Sequence, residues 1–197
     1  TGSAVRPIPG FDTDGQHVVN SDHILELKNV PKSLIVMGAG AVGVEFASVY
    51  SRFGAETTIV ELLPRLVPLE DEEVSKELER SFRKRGIKSQ LDTKLEKLEK
   101  TETGVRVTGK TSKGEAVSLE AEMLLVAVGR MPYTEGLGLE GTKIKVEKGF
   151  INVDEFQQTG EKGVYATADV IPTPLLAHLA SKEGIVAVEH LAGKKDV

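Results

Sequence analysis

The chain has 197 residues, of which 40% are hydrophobic and 28% charged, the proportions of a soluble globular protein with one compact domain or one domain with appendages. A formal net charge of −5 gives no global positive field to steer a nucleic-acid backbone, and no apolar run approaches the length of a membrane span. The sequence contains no cysteine, which excludes a disulfide, a thiolate metal site and a cysteine nucleophile within this stretch.

The sequence opens on Thr1-Gly2-Ser3, with no start methionine, basic n-region or apolar h-region, and both ends read as cuts within a longer polypeptide. Residues 1–31 carry Pro7, Pro9 and Pro31 with Gly10 and Gly15. They are expected to connect, with one short helical turn around Ile24–Leu27 capped by Ser21 or Asp22. Ser33-Leu34-Ile35-Val36-Met37 is almost continuously apolar, as in a strand buried on both faces of a parallel sheet. A glycine-rich turn follows, then a helix from Ala41 to Phe53 with Val42, Phe46, Val49 and Phe53 at helical spacing, closed by Gly54. Thr57–Val60 is β-branched and predicts a second strand.

Asp71–Arg85 predicts a second helix with Val74, Leu78 and Phe82 on one stripe. Acidic residues at its start and Arg83, Lys84 and Arg85 at its end complement the helix dipole, and solvation alone accounts for them. After Gly86, Ile87–Leu91 reads as the third strand. Short alternating segments then follow at Leu95–Glu99, Val105–Thr108 and Ala116–Leu119, separated by turn residues, which predicts an antiparallel meander inserted into a βαβαβ pattern. Met123–Ala127 returns to the parallel sheet. Beyond a loop with Gly136, Gly138 and Gly141, strands are expected at Phe150–Val153 and Gly163–Ala166, with a last helix from about Ala177 to Ala192. The fold class is α/β: a Rossmann-like dinucleotide-binding domain with a parallel sheet, helices and a three-stranded antiparallel meander.

The turn reads Gly38-Ala39-Gly40-Ala41-Val42-Gly43, a G-x-G-x-x-G that follows a strand and opens a helix, the context that gives this motif its meaning. Gly38 permits the tight turn, Gly40 lets backbone approach a pyrophosphate, and Gly43 lets the helix pack on the strand. Amides at the helix start then hold phosphate without a basic side chain. Glu61, roughly 20 residues on, stands where a carboxylate accepts from the adenosine ribose hydroxyls. A carboxylate there repels the extra phosphate of NADP, and the nearest cation, Arg65, lies beyond a proline, so NAD is the expected cofactor. The alternative is a structural turn with a solvated Glu61.

Several stretches, in collinear order over essentially the whole chain, resemble the dihydrolipoamide dehydrogenases of the pyridine nucleotide–disulfide oxidoreductase family. They are Met37–Glu45, Val128-Gly129-Arg130-Met131-Pro132-Tyr133-Thr134, Leu137-Gly138-Leu139-Glu140 and Leu175-Leu176-Ala177-His178. The resemblance implies an FAD domain, an NAD domain inserted in it and a C-terminal dimerisation domain. On this chain it assigns 1–31 to a flanking FAD-domain segment, 32–150 to the NAD-binding domain and 151–197 to the returning FAD-domain segment. It implies NAD contacts at Gly38, Ala39, Gly40, Ala41, Val42, Gly43, Val44, Glu45, Glu61, Leu95 and Gly129. FAD contacts in the parent protein are implied at Thr1, Gly2, Ser3, Asp169, Leu175, Leu176, Ala177 and His178. The family's Gly-Asp is here Ala168-Asp169, and if that position needs positive φ, alanine costs about 1 kcal/mol or more.

By the same likeness the whole enzyme passes electrons from dihydrolipoyl groups through a disulfide and FAD to NAD. It would be a homodimer in the cytoplasm, or in the mitochondrial matrix of a eukaryote, and a component of a 2-oxo acid dehydrogenase complex. This stretch would bind NAD(H) and carry no catalytic residue and no metal, because the redox disulfide and a His–Glu pair lie elsewhere. It is expected to be colourless and inactive by itself. Two other readings stay open. One is a non-catalytic NAD-binding module, against which the Asp169 and Leu175–His178 stretches argue; the other is a different family member, such as a mercuric reductase or a transhydrogenase.

Overall fold

The computed structural model describes residues 2–194. In chain order the elements are β1 (Ser3–Val5), β2 (Val18–Val19), α1 (Ser21–Leu25), β3 (Ser33–Met37), α2 (Ala41–Arg52), β4 (Glu56–Val60), α3 (Glu72–Lys84) and β5 (Lys88–Gln90). They continue with β6 (Thr93–Thr101), β7 (Gly104–Thr111), β8 (Ala116–Ala121), β9 (Met123–Val126), β10 (Arg130–Pro132), β11 (Val146–Glu147), β12 (Phe150–Ile151) and α4 (Ala177–Leu191). Among the described residues two compact units result, one of Val5–Gly129 and one joining residues 2–4 to residues 130–194. These packing boundaries differ from the division at 32 and 150 that the resemblance implies. The first difference arises because Val18–Val19 pairs with β9; the second arises because β10 pairs with β1.

In the Val5–Gly129 unit a five-stranded sheet runs in the order β2-β9-β3-β4-β5, and all its pairings are parallel. Both faces are covered, which is why the strands read as continuous apolar runs. Val19, Leu34, Val36, Ile59 and Leu125 enter one cluster with Val44, Ala47 and Tyr50 of α2 and Phe82 of α3. The alternate residues Val18, Ile35, Val60, Leu124 and Val126 enter a second cluster with Phe11 and with Val105 and Val107 of β7. The antiparallel sheet β6-β7-β8 is therefore the second covering layer.

Three local expectations need correction. The buried stripe of α2 is Gly43, Val44, Ala47 and Tyr50, while Val49 is 42% and Phe53 63% exposed. The helix is rolled so that its smallest residues meet the sheet, a choice that a hydrophobic count cannot see. On α3, Phe82 is buried and Leu78 partly so, but Val74 is exposed. The cap of α1 is Asn20, whose side chain accepts from the Asp22 and His23 amides. Of the expected interactions, Arg85 at the end of α3 gains a specific role. Its guanidinium lies 5.5 Å over the Phe82 ring and donates to the Ser48 Oγ and carbonyl at 3.0 and 2.8 Å, tying α3 to α2.

The other unit is organised around Ile151, Ala166, Val170 and Ile171. β12 forms a two-residue hairpin with β11, shorter than the expected Phe150–Val153. Gly163–Ala166 forms no strand and keeps only a bridge between Gln158 and Tyr165. Among the described residues, no helix is long and apolar enough to cross a membrane.

The turn before β2 hangs on one carboxylate. Asp14 Oδ1 accepts from the amides of Gln16, His17 and Val18 at 2.8, 3.0 and 2.8 Å, and Oδ2 pairs with Lys100 of β6 at 2.7 Å. Partial burial pushes this carboxyl up, but the Lys100 bond and the backbone amides outweigh it and hold its pKa far below the ordinary 3.8. A depressed folded-state pKa gives stability that is complete above the unfolded value and is lost as pH falls below it. Melting curves between pH 5 and pH 2 should therefore show Asp14→Asn losing less stability on acidification than the wild type. Equal losses would show that the turn does not hold the carboxylate in its charged form.

Candidate functional site

At the carboxyl end of β3 the chain turns at Gly38, where φ is +106° and a Cβ would lie 2.4 Å from the Ala127 carbonyl oxygen. The turn is stitched to both neighbouring strands: Gly38 N donates to Val60 O at 2.9 Å and Ala127 N donates to Met37 O at 2.8 Å. At Gly43, a Cβ would meet the Gly38 carbonyl oxygen at 2.0 Å, so α2 can rest on the turn only with glycine there. Gly40 is different. It is exposed, and a Cβ on it would meet no atom within 4 Å. α2 has Gly40 as its N-cap with no side-chain capping bond, and the Val44 amide donates to Gly40 O at 3.0 Å. The first-turn amides of Ala41–Gly43 lie at the positive end of the helix dipole, beside the exposed Gly40. That arrangement fits a diphosphate.

Glu61 directly follows β4. Its Oε2 accepts from the Ala39 amide at 2.6 Å and its Oε1 from Leu63 N at 2.9 Å. The carboxylate is thereby fixed against the glycine turn, and each oxygen keeps a lone pair for a further donor. The segment after it wraps the turn: Leu66 is fully buried, Val67 N donates to Ala39 O at 2.8 Å and Ser75 Oγ to Val67 O at 3.3 Å. Val67 has φ +41°, a conformation unfavourable for a β-branched residue and costing about 1–3 kcal/mol. Sequence reading missed it, because nothing in the residue type marks a valine for that region. Arg65 Nη2 donates to Pro68 O at 2.9 Å, so the nearest cation is engaged within its own loop.

The remaining residues implied for NAD divide. Glu45 is exposed on α2, Val44 is buried beneath it, and Ala39 is buried in the turn. Gly129 is exposed after β9, with φ +103° and open space where a Cβ would be. Leu95 is 6% exposed and packs in the second core cluster, so its side chain serves the core and is not brought to the open face. A cavity of about 500 Å³ lined by His17, Lys32, Ser33 and Glu122 sits at the amino end of β3, whereas open parallel sheets bind ligands outside the carboxyl ends of their strands.

In the other unit the residues implied for FAD are partly assembled. Ser3 Oγ donates to Asp169 Oδ2 in a short hydrogen bond. Arg130 Nε donates to Ser3 Oγ, and its Nη2 to Ser3 O, both at 2.7 Å. The Gly2 carbonyl accepts from Tyr133 N at 2.9 Å. Leu175, Leu176, Ala177 and His178 are exposed at the start of α4, whose N-cap Leu176 makes no side-chain bond. Thr1 lies outside the described residues. Ala168 has φ +65°, so the position that departs from the family pattern does require the left-handed conformation. The resemblance gives Arg130 no role, and Glu183, which accepts from the Ala168 amide at 2.7 Å, carries no sequence signal because a lysine-glutamate pair in a helix reads as a solvated face.

Residues 1–184 match the family described as pyridine nucleotide-disulphide oxidoreductase. The chain is 46% identical over 194 residues to a dihydrolipoyl dehydrogenase of Chlorobaculum parvum, covering 98% of this chain and 41% of that protein. It is 43% identical over 196 residues to the mitochondrial dihydrolipoyl dehydrogenase of Pisum sativum, covering 98% and 39%. Among solved structures, LpdA from Mycobacterium tuberculosis superposes with a TM-score of 0.89 at 32% identity, covering 98% of this chain and 42% of that one. The chain thus spans about two-fifths of the length of these relatives.

Proposed function

Given that the chain belongs to the pyridine nucleotide-disulphide oxidoreductase family, we propose that it is the NAD(H)-binding part of a dihydrolipoamide dehydrogenase, flanked by pieces of the FAD-binding domain. The observation that carries the reading is the open, uncapped start of α2 at Gly40 with the Glu61 carboxylate fixed beside it. The amides of Ala41, Val42 and Gly43 hold the pyrophosphate. Glu61 accepts from the adenosine ribose hydroxyls, while Glu45 and Gly129 face the nicotinamide half. Asp169, with Ser3 behind it, accepts from the ribityl chain of FAD. When bound, FAD and NAD supply the electron relay and the hydride acceptor. The chain's own part is to bind, orient and select, and without cysteine it contributes no redox disulfide. The resemblance carries with it a homodimeric parent in a 2-oxo acid dehydrogenase complex.

Cofactor choice tests the reading. A second phosphate on the adenosine ribose would meet Glu61, and at about 4 Å with an effective dielectric near 20 the repulsion is about 4 kcal/mol before salt screening. Isothermal titration of the 197-residue chain should give micromolar-to-millimolar affinity for NAD(H) and at least about tenfold weaker binding of NADP(H). Equal affinities would remove Glu61 from the site, and no binding of either would remove the reading.

A further inference from the structure

We propose that Glu183 is a positioning residue for flavin binding, whose buried carboxylate holds Ala168 in a left-handed turn and thereby aims Asp169. The inference rests on the flavoprotein reading above. Ala168 opens a short 3-10 turn, Ala168–Val170, with φ +65°, which an alanine adopts roughly tenfold less readily than a glycine. Something must hold it there. Its amide donates to Glu183 Oε2 at 2.7 Å, a charge-assisted bond reaching across from the middle of α4.

Glu183 is 4% exposed, and its other oxygen is buried with no hydrogen-bond partner among the described residues. Such a group is an expensive way to fill a core position, since leucine would pack there without desolvating a charge. What leucine lacks is the acceptor for the Ala168 amide. On the other side of the turn Val170 and Ile171 are buried and Asp169 is bonded to Ser3, which Arg130 braces. The turn is thus gripped from both sides, and the left-handed residue sits on the Glu183 side.

Five proteins test this in the full-length chain: wild type, Glu183→Leu, Ala168→Gly, the double variant and, as the conservative control, Glu183→Gln. The readout is the FAD dissociation constant from reconstitution of the flavin-stripped protein. Glu183→Leu should weaken FAD by about tenfold, while adding Ala168→Gly should restore it to within about threefold of wild type, because glycine adopts the turn unaided. Glu183→Gln, which keeps an acceptor, should stay within about threefold. Unchanged FAD affinity in Glu183→Leu, or no recovery in the double variant, overturns the proposal.

Should Glu183→Leu fail to fold, recovery of folding by Ala168→Gly supports the proposal and failure to recover overturns it. Absence of FAD from the wild-type full-length protein would sink the flavoprotein reading instead. In that event the melting temperatures of the same variants in the 197-residue chain decide the grip on the turn. Ala168→Gly must then gain less in the Glu183→Leu background, where alanine is free to leave the strained turn, than in wild type, where Glu183 holds it there, and equal gains overturn it.

Discussion

Replacing Gly40 with valine is expected to abolish the heat of NAD(H) binding, a loss of about a hundredfold or more in affinity, while the chain stays folded. A Cβ there would meet no atom within 4 Å, so on the proposed reading the added side chain intrudes on the pyrophosphate and not on the fold. Its φ of −71° suits any residue, and losing glycine as the cap costs about 1 kcal/mol or less, a shift of about 2–4 °C in melting temperature. A variant that binds normally would place the dinucleotide elsewhere. A variant that unfolds would mean that Gly40 serves packing.

The opposite outcome is expected three residues later. Gly43→Ala puts a Cβ 2.0 Å from the Gly38 carbonyl oxygen, a collision with backbone that cannot rotate away. Either α2 lifts from the turn or β3 shifts against β4, and overpacking of this kind costs about 3 kcal/mol or more, or roughly 6–12 °C in a chain of this size. Thermal melting checks it directly, and an unchanged melting temperature would show that the helix has room the structure does not give it. The two substitutions together separate the glycine that makes room for a ligand from the glycine that makes room for the fold.

The frame of the Val5–Gly129 unit was legible because its signals are local and agree with one another. The apolar run at Ser33–Met37, the glycine turn, the β-branched Thr57–Val60 and the charge order along α3 each name one element, and the turn residues of the meander separate the strands seen as β6, β7 and β8. What was illegible depends on partners distant in sequence. Val18–Val19 is too short to announce itself and becomes a strand only against Leu124 and Leu125. The roll of α2 is set by Gly43 meeting Gly38, so Val49 and Phe53, though at helical spacing with Val42 and Phe46, face out. Leu95 was expected at a ligand and lies in the core. The glycine turn at Gly38–Gly43 and the Glu61 beside it, the core of the candidate site, are local in sequence because one βαβ unit carries them; Val67 and Glu183 act through backbone geometry, which residue identity does not reveal.

The order of strands in the parallel sheet also sets a schedule for synthesis. β3 lies between β4 and β9, and β9 is made only after both helices, β5 and the entire meander have left the ribosome. From the emergence of Met37 to that of Met123 the apolar edge of Leu34, Ile35 and Val36 has one neighbour at most, an interval on the order of ten seconds at about 5–20 residues per second. An unpaired apolar edge recruits other strands, so nascent chains of this protein are most prone to co-aggregate, and most in need of a chaperone, before residue 126 is reached.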